Sequence, residues 1–246
     1  MLISAMVGID SRATMDIDTT LRNYPLNCES AEQIVRQIAD VEIDDKISFV
    51  IKKTEEIMED SEYQGVRLSL DAYLDKTRIP LKIDISTSDV ITPCEISFSY
   101  QLMFENRTIP LLAYPPETVL AEKLETILSR GEANTRLRDF YDVYILQRED
   151  FVVTPDALRY ALLATCRKRG HEDLLQTYAS ILDRVRQSDT MRTQWMKYQS
   201  DFDYAAGITW DTVLDTVETL CMKTLDDHAF GDELPQEESQ FEMHLL

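Results

Sequence analysis

Two aspartates spaced two apart, Asp16 and Asp18, follow Arg12-Ala13-Thr14-Met15 near the start of the chain, with Ile17 between them. Alternate residues of a strand share a face, so this spacing projects both carboxylates together while Met15 and Ile17 pack behind. Paired carboxylates suit magnesium, which takes hard oxygen ligands, keeps several waters and completes its shell with substrate phosphates. Asp-x-Asp also arises by chance in any acidic chain, so the pattern takes its meaning from what accompanies it. A third carboxylate lies in Arg78-Ile79-Pro80-Leu81-Lys82-Ile83-Asp84-Ile85-Ser86, which alternates like a half-buried strand and turns Asp84 away from Ile83 and Ile85. Laid beside the first strand it would bring three carboxylates together, enough for one or two metal ions that clamp a nucleoside triphosphate and activate a hydroxyl. Standing alone, Asp84 is equally an ordinary polar residue on the solvent side of a sheet.

A cation is offered by a helix. Pro115-Pro116-Glu117 opens it with proline where a helix tolerates proline and a carboxylate where the dipole favours one. Val119, Leu120, Leu124, Ile127 and Leu128 then follow helical spacing. Lys123 sits beside that apolar stripe, where its ammonium could reach a triphosphate as a point charge or simply snorkel to the surface. Further on, Arg138, Asp139 and Asp142 fall within one turn. The two aspartates share a helix face and could orient Lys123 or Arg138, or form a solvated ion-pair network.

These groups need a sheet and helices to hold them. Ser30 is expected to cap a short helix through Asp40, and Lys46 to Lys53, Val66 to Leu74 and Arg78 to Ser86 read as strands of a mostly antiparallel sheet. Thr108 to Ala113 adds an edge. The helical half begins at Pro115; Thr154-Pro155-Asp156 caps a helix that runs to Arg169 with Gly170 as its stop. Further helices are predicted over 172–187, 190–198 and 209–225. Trp195 and Trp210 read as core aromatics because each sits in an apolar helical pattern. Six glycines in the whole chain cannot supply a Walker or dinucleotide loop at the required spacing.

Composition excludes other classes. With 246 residues, 44% of them hydrophobic and 28% charged, the chain can bury one large core or two modest ones. No run approaches the roughly twenty apolar residues of a bilayer span, and Met1 to Val7 is too short for a signal peptide and lacks a basic flank, so a cytoplasmic location is expected. Cys28, Cys94, Cys166 and Cys221 are scattered and only three histidines are present, which gives no zinc pattern and reduced thiols by default. The net charge of -20 opposes indiscriminate nucleic-acid binding. The tail from Leu225 to Leu246 supplies -7 of it and reads as a loose extension, or as a cover for a basic groove. Positive charge gathers at Arg167-Lys168-Arg169 and at Arg130, Arg136 and Arg138, a local patch for an RNA end or cations favoured at helix C-termini.

Arg12-Ala13-Thr14-Met15-Asp16-Ile17-Asp18, the Asp84 strand, Tyr114 to Lys123 with its Ala121-Glu122-Lys123 core, and Arg138-Asp139-Phe140-Tyr141-Asp142 together resemble the AbiEii/AbiGii family of nucleotidyltransferase toxins, which includes the MenT toxins. The resemblance spans residues 1 to 147. It implies an α+β fold: a polymerase-β-like nucleotidyltransferase core with a mixed, mostly antiparallel sheet over 1–114, a helical domain over 115–225, and the acidic tail 226–246. It also implies the toxin half of a type IV toxin–antitoxin or abortive-infection system with a separate antitoxin protein. Ligands would be an NTP and Mg²⁺ or Mn²⁺; some relatives transfer nucleotides to the 3′ end of tRNA. Carried over residue by residue, Asp16 and Asp18 would bind metal with Asp84 as the third acidic residue, Lys123 would contact the phosphates with Arg12 and Arg138 as further nucleotide-binding residues, and Asp139 or Asp142 would support the site. One departure stands out. The family carries a Gly-Gly or Gly-Ser pair at the end of a strand before the helix that Met1 to Gly8 would form, and no glycine precedes Gly8 here. Either the native start lies upstream or the copy is truncated, and catalysis by the chain as written is expected to be weakened or absent. Two functions follow: a transferase, or a non-catalytic homologue acting as an interaction partner that titrates an antitoxin.

Overall fold

The computed structural model describes residues 2–8, 10–12, 16–43, 45–58, 64–87, 89–102, 105–148 and 153–226. Its elements in chain order are α1 (Leu2–Val7), β1 (Asp16–Thr20), α2 (Cys28–Ala39), β2 (Ile47–Met58), β3 (Gln64–Leu74), β4 (Thr77–Ser86), β5 (Ile96–Gln101) and β6 (Thr108–Ala113). There follow α3 (Pro116–Arg130), α4 (Leu137–Arg148), α5 (Pro155–Lys168), α6 (Leu174–Gln187), α7 (Asp189–Asp201) and α8 (Trp210–Leu225). The class is α+β, as the sequence predicts. Residues 227–246, which hold most of the acidic tail, lie outside the described residues, as do Ala13, Thr14 and Met15 and the side chain of Asp16.

The main sheet has the order β1-β4-β3-β2. β1 runs parallel to β4, and the β4–β3 and β3–β2 pairs are antiparallel. β3 and β4 are joined by the two-residue turn Asp75-Lys76, in which Asp75 takes φ 53°, a conformation that a short polar side chain tolerates. That tight turn fixes the register, so Leu74 faces Thr77 and Arg67 faces Asp84. Val66, Leu68, Leu70 and Ile85 are buried on one face beneath Ala31 and Val35 of α2. Strand alternation then leaves Asp18, Lys82, Asp84 and Arg67 on the other face.

Two local readings change. Helix α2 is capped by Asn27, whose Oδ1 accepts from the Ser30 N–H at 2.8 Å while Ser30 Oγ accepts from the Asn27 N–H at 3.0 Å. Ser30 is therefore the third residue of a reciprocal capping box and not the cap itself. β6 does not edge the main sheet; it pairs with β5 in a separate two-stranded sheet.

The larger core is helical. Val119, Leu124, Ile127, Phe140, Val143, Leu162, Val185, Trp195 and Val213 are buried in one cluster, and Trp195 and Trp210 pack with ring centroids 5.8 Å apart. Helix α1 joins this cluster through Ile3 and Val7, although its place in the chain groups it with the sheet half. It ends at Gly8, whose φ of 88° suits glycine alone.

Candidate active site

Asp18 and Asp84 are direct register partners on the parallel β1–β4 pair, so their side chains rise from neighbouring strands on one face. In the backbone register of that pair Asp16 is the partner of Lys82. Asp18 is exposed. Asp84 is held by Arg67 of β3 in a two-pronged contact: Nε donates to Oδ1 at 2.7 Å and Nη2 to Oδ2 at 2.6 Å. The fork fixes the carboxylate plane and leaves a second lone pair on each oxygen. Among the described residues no three His, Cys, Asp or Glu side chains gather as a metal-holding group. Two of the three expected carboxylates are thus described, as hard oxygen donors on an open face, and that donor set fits a divalent ion such as Mg²⁺.

Lys123 on α3 reaches α4. Its Nζ donates to Asp139 Oδ1 at 2.7 Å and lies 3.7 Å from Asp142 Oδ2. The lysine side chain is 25% exposed, the two carboxylates 7% and 0%. Burial alone would lower the lysine pKa; the charges of Asp139 and then Asp142 outweigh it, and the group ends above the usual lysine range. Asp142 also takes Arg12, with Nε on Oδ1 at 3.0 Å and Nη2 on Oδ2 at 3.1 Å, while Arg12 Nη1 meets Ser4 Oγ at 3.5 Å. Next to it, Tyr141 Oη donates to the Ser11 carbonyl at 2.5 Å. A single buried carboxylate therefore bridges Lys123 and the arginine four residues before Asp16.

Arg12 and Arg138, expected at the phosphates, are engaged within the protein. Arg12 is buried, and a buried guanidinium needs the paired anion it finds in Asp142. Arg138 lies over the Phe202 ring, 5.6 Å from its centroid. The run Arg167-Lys168-Arg169 ends α5, and Arg167 bonds Glu172 at 2.9 Å. Arg169 binds buried Glu125, whose other oxygen meets His171 Nδ1 at 2.7 Å. Sequence reasoning passed over Glu125 and Arg67. Arg67 was countable, because the Asp75-Lys76 turn places it opposite Asp84.

Residues 1–216 match the family described as nucleotidyl transferase AbiEii toxin, type IV toxin–antitoxin system. The chain belongs to that family of nucleotidyltransferase toxins, whose system includes an antitoxin partner. Two crystal structures from Helicobacter pylori are similar at 12% identity and a TM-score of 0.39: a candidate nucleotidyltransferase, with 93% of this chain and 96% of that one covered, and JHP933, with 92% and 91% covered. No curated protein matches. Among the described residues no helix is long and apolar enough to cross a membrane.

Proposed function

We propose that this chain is a cytoplasmic transferase that moves a nucleoside monophosphate from an NTP to an acceptor hydroxyl, such as that of a tRNA 3′ end, on a polymerase-β-like core. The acceptor oxygen attacks the α-phosphorus, the bond to the bridging oxygen breaks, and pyrophosphate leaves. Asp16, Asp18 and Asp84 would hold a divalent ion. When bound, such an ion neutralises phosphate charge and makes the attacking hydroxyl more acidic. Arg67 keeps Asp84 in one orientation. Lys123 has three N–H donors, gives one to Asp139 and lies 3.7 Å from Asp142, and its raised pKa keeps it charged toward a phosphate.

The observation that carries this reading is the bridge at Asp142. Arg12 is tied to the same carboxylate as Lys123, and Asp16 follows Arg12 by four residues, a reach of at most about 14 Å of extended chain. That limit on the separation between the acidic strand and Arg12 supports a shared site with Lys123. A second reading, a non-catalytic partner, draws on the engagement of Asp84 by Arg67. Induced expression with radiolabelled NTPs and total RNA separates the two. Asp18→Ala should stop label transfer and growth arrest while the melting temperature stays unchanged, since Asp18 is exposed. Growth arrest persisting with a folded Asp18→Ala protein would sink the transferase reading.

A further inference from the structure

Beyond Asp18 and Asp84 the same two strands end in hydroxyls that meet at one carboxylate. Thr20, two residues after Asp18, donates from Oγ1 to Asp89 Oδ2 at 2.6 Å. Ser86, two residues after Asp84, donates to the same oxygen, and the two hydroxyls lie 3.0 Å apart. The third donor is Tyr114 Oη at 2.7 Å, which also touches Thr20 Oγ1. Tyr114 comes from the helical side, two residues before α3 begins. Burial and then the neighbouring Asp89 charge raise its pKa, so the phenol stays a proton donor. A second stitch lies alongside: Thr118 Oγ1 in the first turn of α3 accepts from the Thr92 N–H at 2.9 Å and donates to the Thr92 carbonyl at 3.0 Å.

One carboxylate thus joins the ends of both acidic strands to the start of the helix that carries Lys123. Along β1 and β4 the knot is two residues, about 7 Å, from Asp18 and Asp84. Along α3 it precedes Lys123 by about two helical turns. β1 is thus held at its C-terminal end by Thr20 on Asp89 and Tyr114, and four residues before it Arg12 is held by Asp142.

We propose that Asp89 and Tyr114 are positioning residues, which set the separation between the carboxylate strands and the lysine helix without touching substrate. The inference deepens the transferase reading and rests on it for its kinetic arm. Misplacement of reacting groups by an ångström can cost about a hundredfold in rate. Tyr114→Phe and Asp89→Ala should each lower the kcat of nucleotide transfer about ten- to a hundredfold and leave the KM for Mg²⁺·NTP within about threefold. Asp89→Asn, which keeps one acceptor oxygen, should restore most of the rate. Unchanged kcat in folded Tyr114→Phe and Asp89→Ala proteins would overturn the proposal, as would equal loss in Asp89→Ala and Asp89→Asn. Hydrogen exchange supplies an arm independent of activity. In Asp89→Ala the Leu21 amide, bonded to the Ser86 carbonyl, and the Val119 amide, bonded to that of Pro115, should lose protection together. Asp18→Ala should leave both protected. Unaltered exchange in Asp89→Ala refutes the knot, whereas a wild-type chain that transfers nothing while its exchange behaves as expected refutes only the transferase reading.

Discussion

Asp142 answers two cations, Arg12 and Lys123, from a position with no exposure of its own. Removing one member of a buried ion cluster strands the others, at a cost of about 3–5 kcal/mol. Asp142→Ala should therefore destabilise the chain by about that amount in denaturant titrations. The raised pKa of Lys123 fixes the pH behaviour. Stability contributed by a group whose folded pKa is raised is present below its ordinary value, about 10.4 for lysine, and is lost only as pH climbs through the folded value. The difference between wild type and Asp142→Ala should be the same at pH 7 and pH 9. Helical spacing made it legible that Asp139 and Asp142 share a face, and left Lys123 and Arg138 both open as their partner. The burial of Arg12 was not legible, because its partner lies 130 residues away.

At the scale of elements, binary pattern decided most of the outcome. Val66, Leu68 and Leu70 alternate with Arg67 and Ser69, and the apolar set went under α2 while the polar set faced solvent. Leu68 is fully buried there, so Leu68→Ala should cost about 2–5 kcal/mol in the same titration. On β2, opposite Ala72 and so on the same sheet face, Phe49 is 41% exposed, and Phe49→Ala should cost clearly less. Denaturation midpoints for the pair check the ranking; equal losses would mean that α2 does not cover the sheet as described. Helix ends were legible where a single side chain caps them, as Thr154 and Thr209 do for α5 and α8. Asn27 and Ser30 are both good caps three residues apart, and sequence alone favoured the wrong one. Ile96-Ser97-Phe98-Ser99-Tyr100 alternates like a strand, but its pairing with β6 alone is a tertiary choice that periodicity does not encode.

The whole molecule joins a small sheet core and a larger helical one through a few polar ties, Arg12 to Asp142, Tyr141 to Ser11, Tyr114 to Asp89 and Thr118 to Thr92. Order of motifs along the chain was enough to point to the AbiEii family, since each motif is weak and their succession is not. The ties that bring the motifs together were invisible, because each links residues far apart in sequence through ordinary polar side chains. Nucleotide transfer by this chain requires that the open carboxylate face bind a metal–nucleotide complex. Calorimetric titration of the wild-type chain and of Asp18→Asn with each of the four NTPs in Mg²⁺ tests this most directly. Saturable micromolar binding of at least one NTP by the wild type, abolished in Asp18→Asn, is the predicted result. Binding that survives unchanged in Asp18→Asn, or no heat from any NTP, would contradict it.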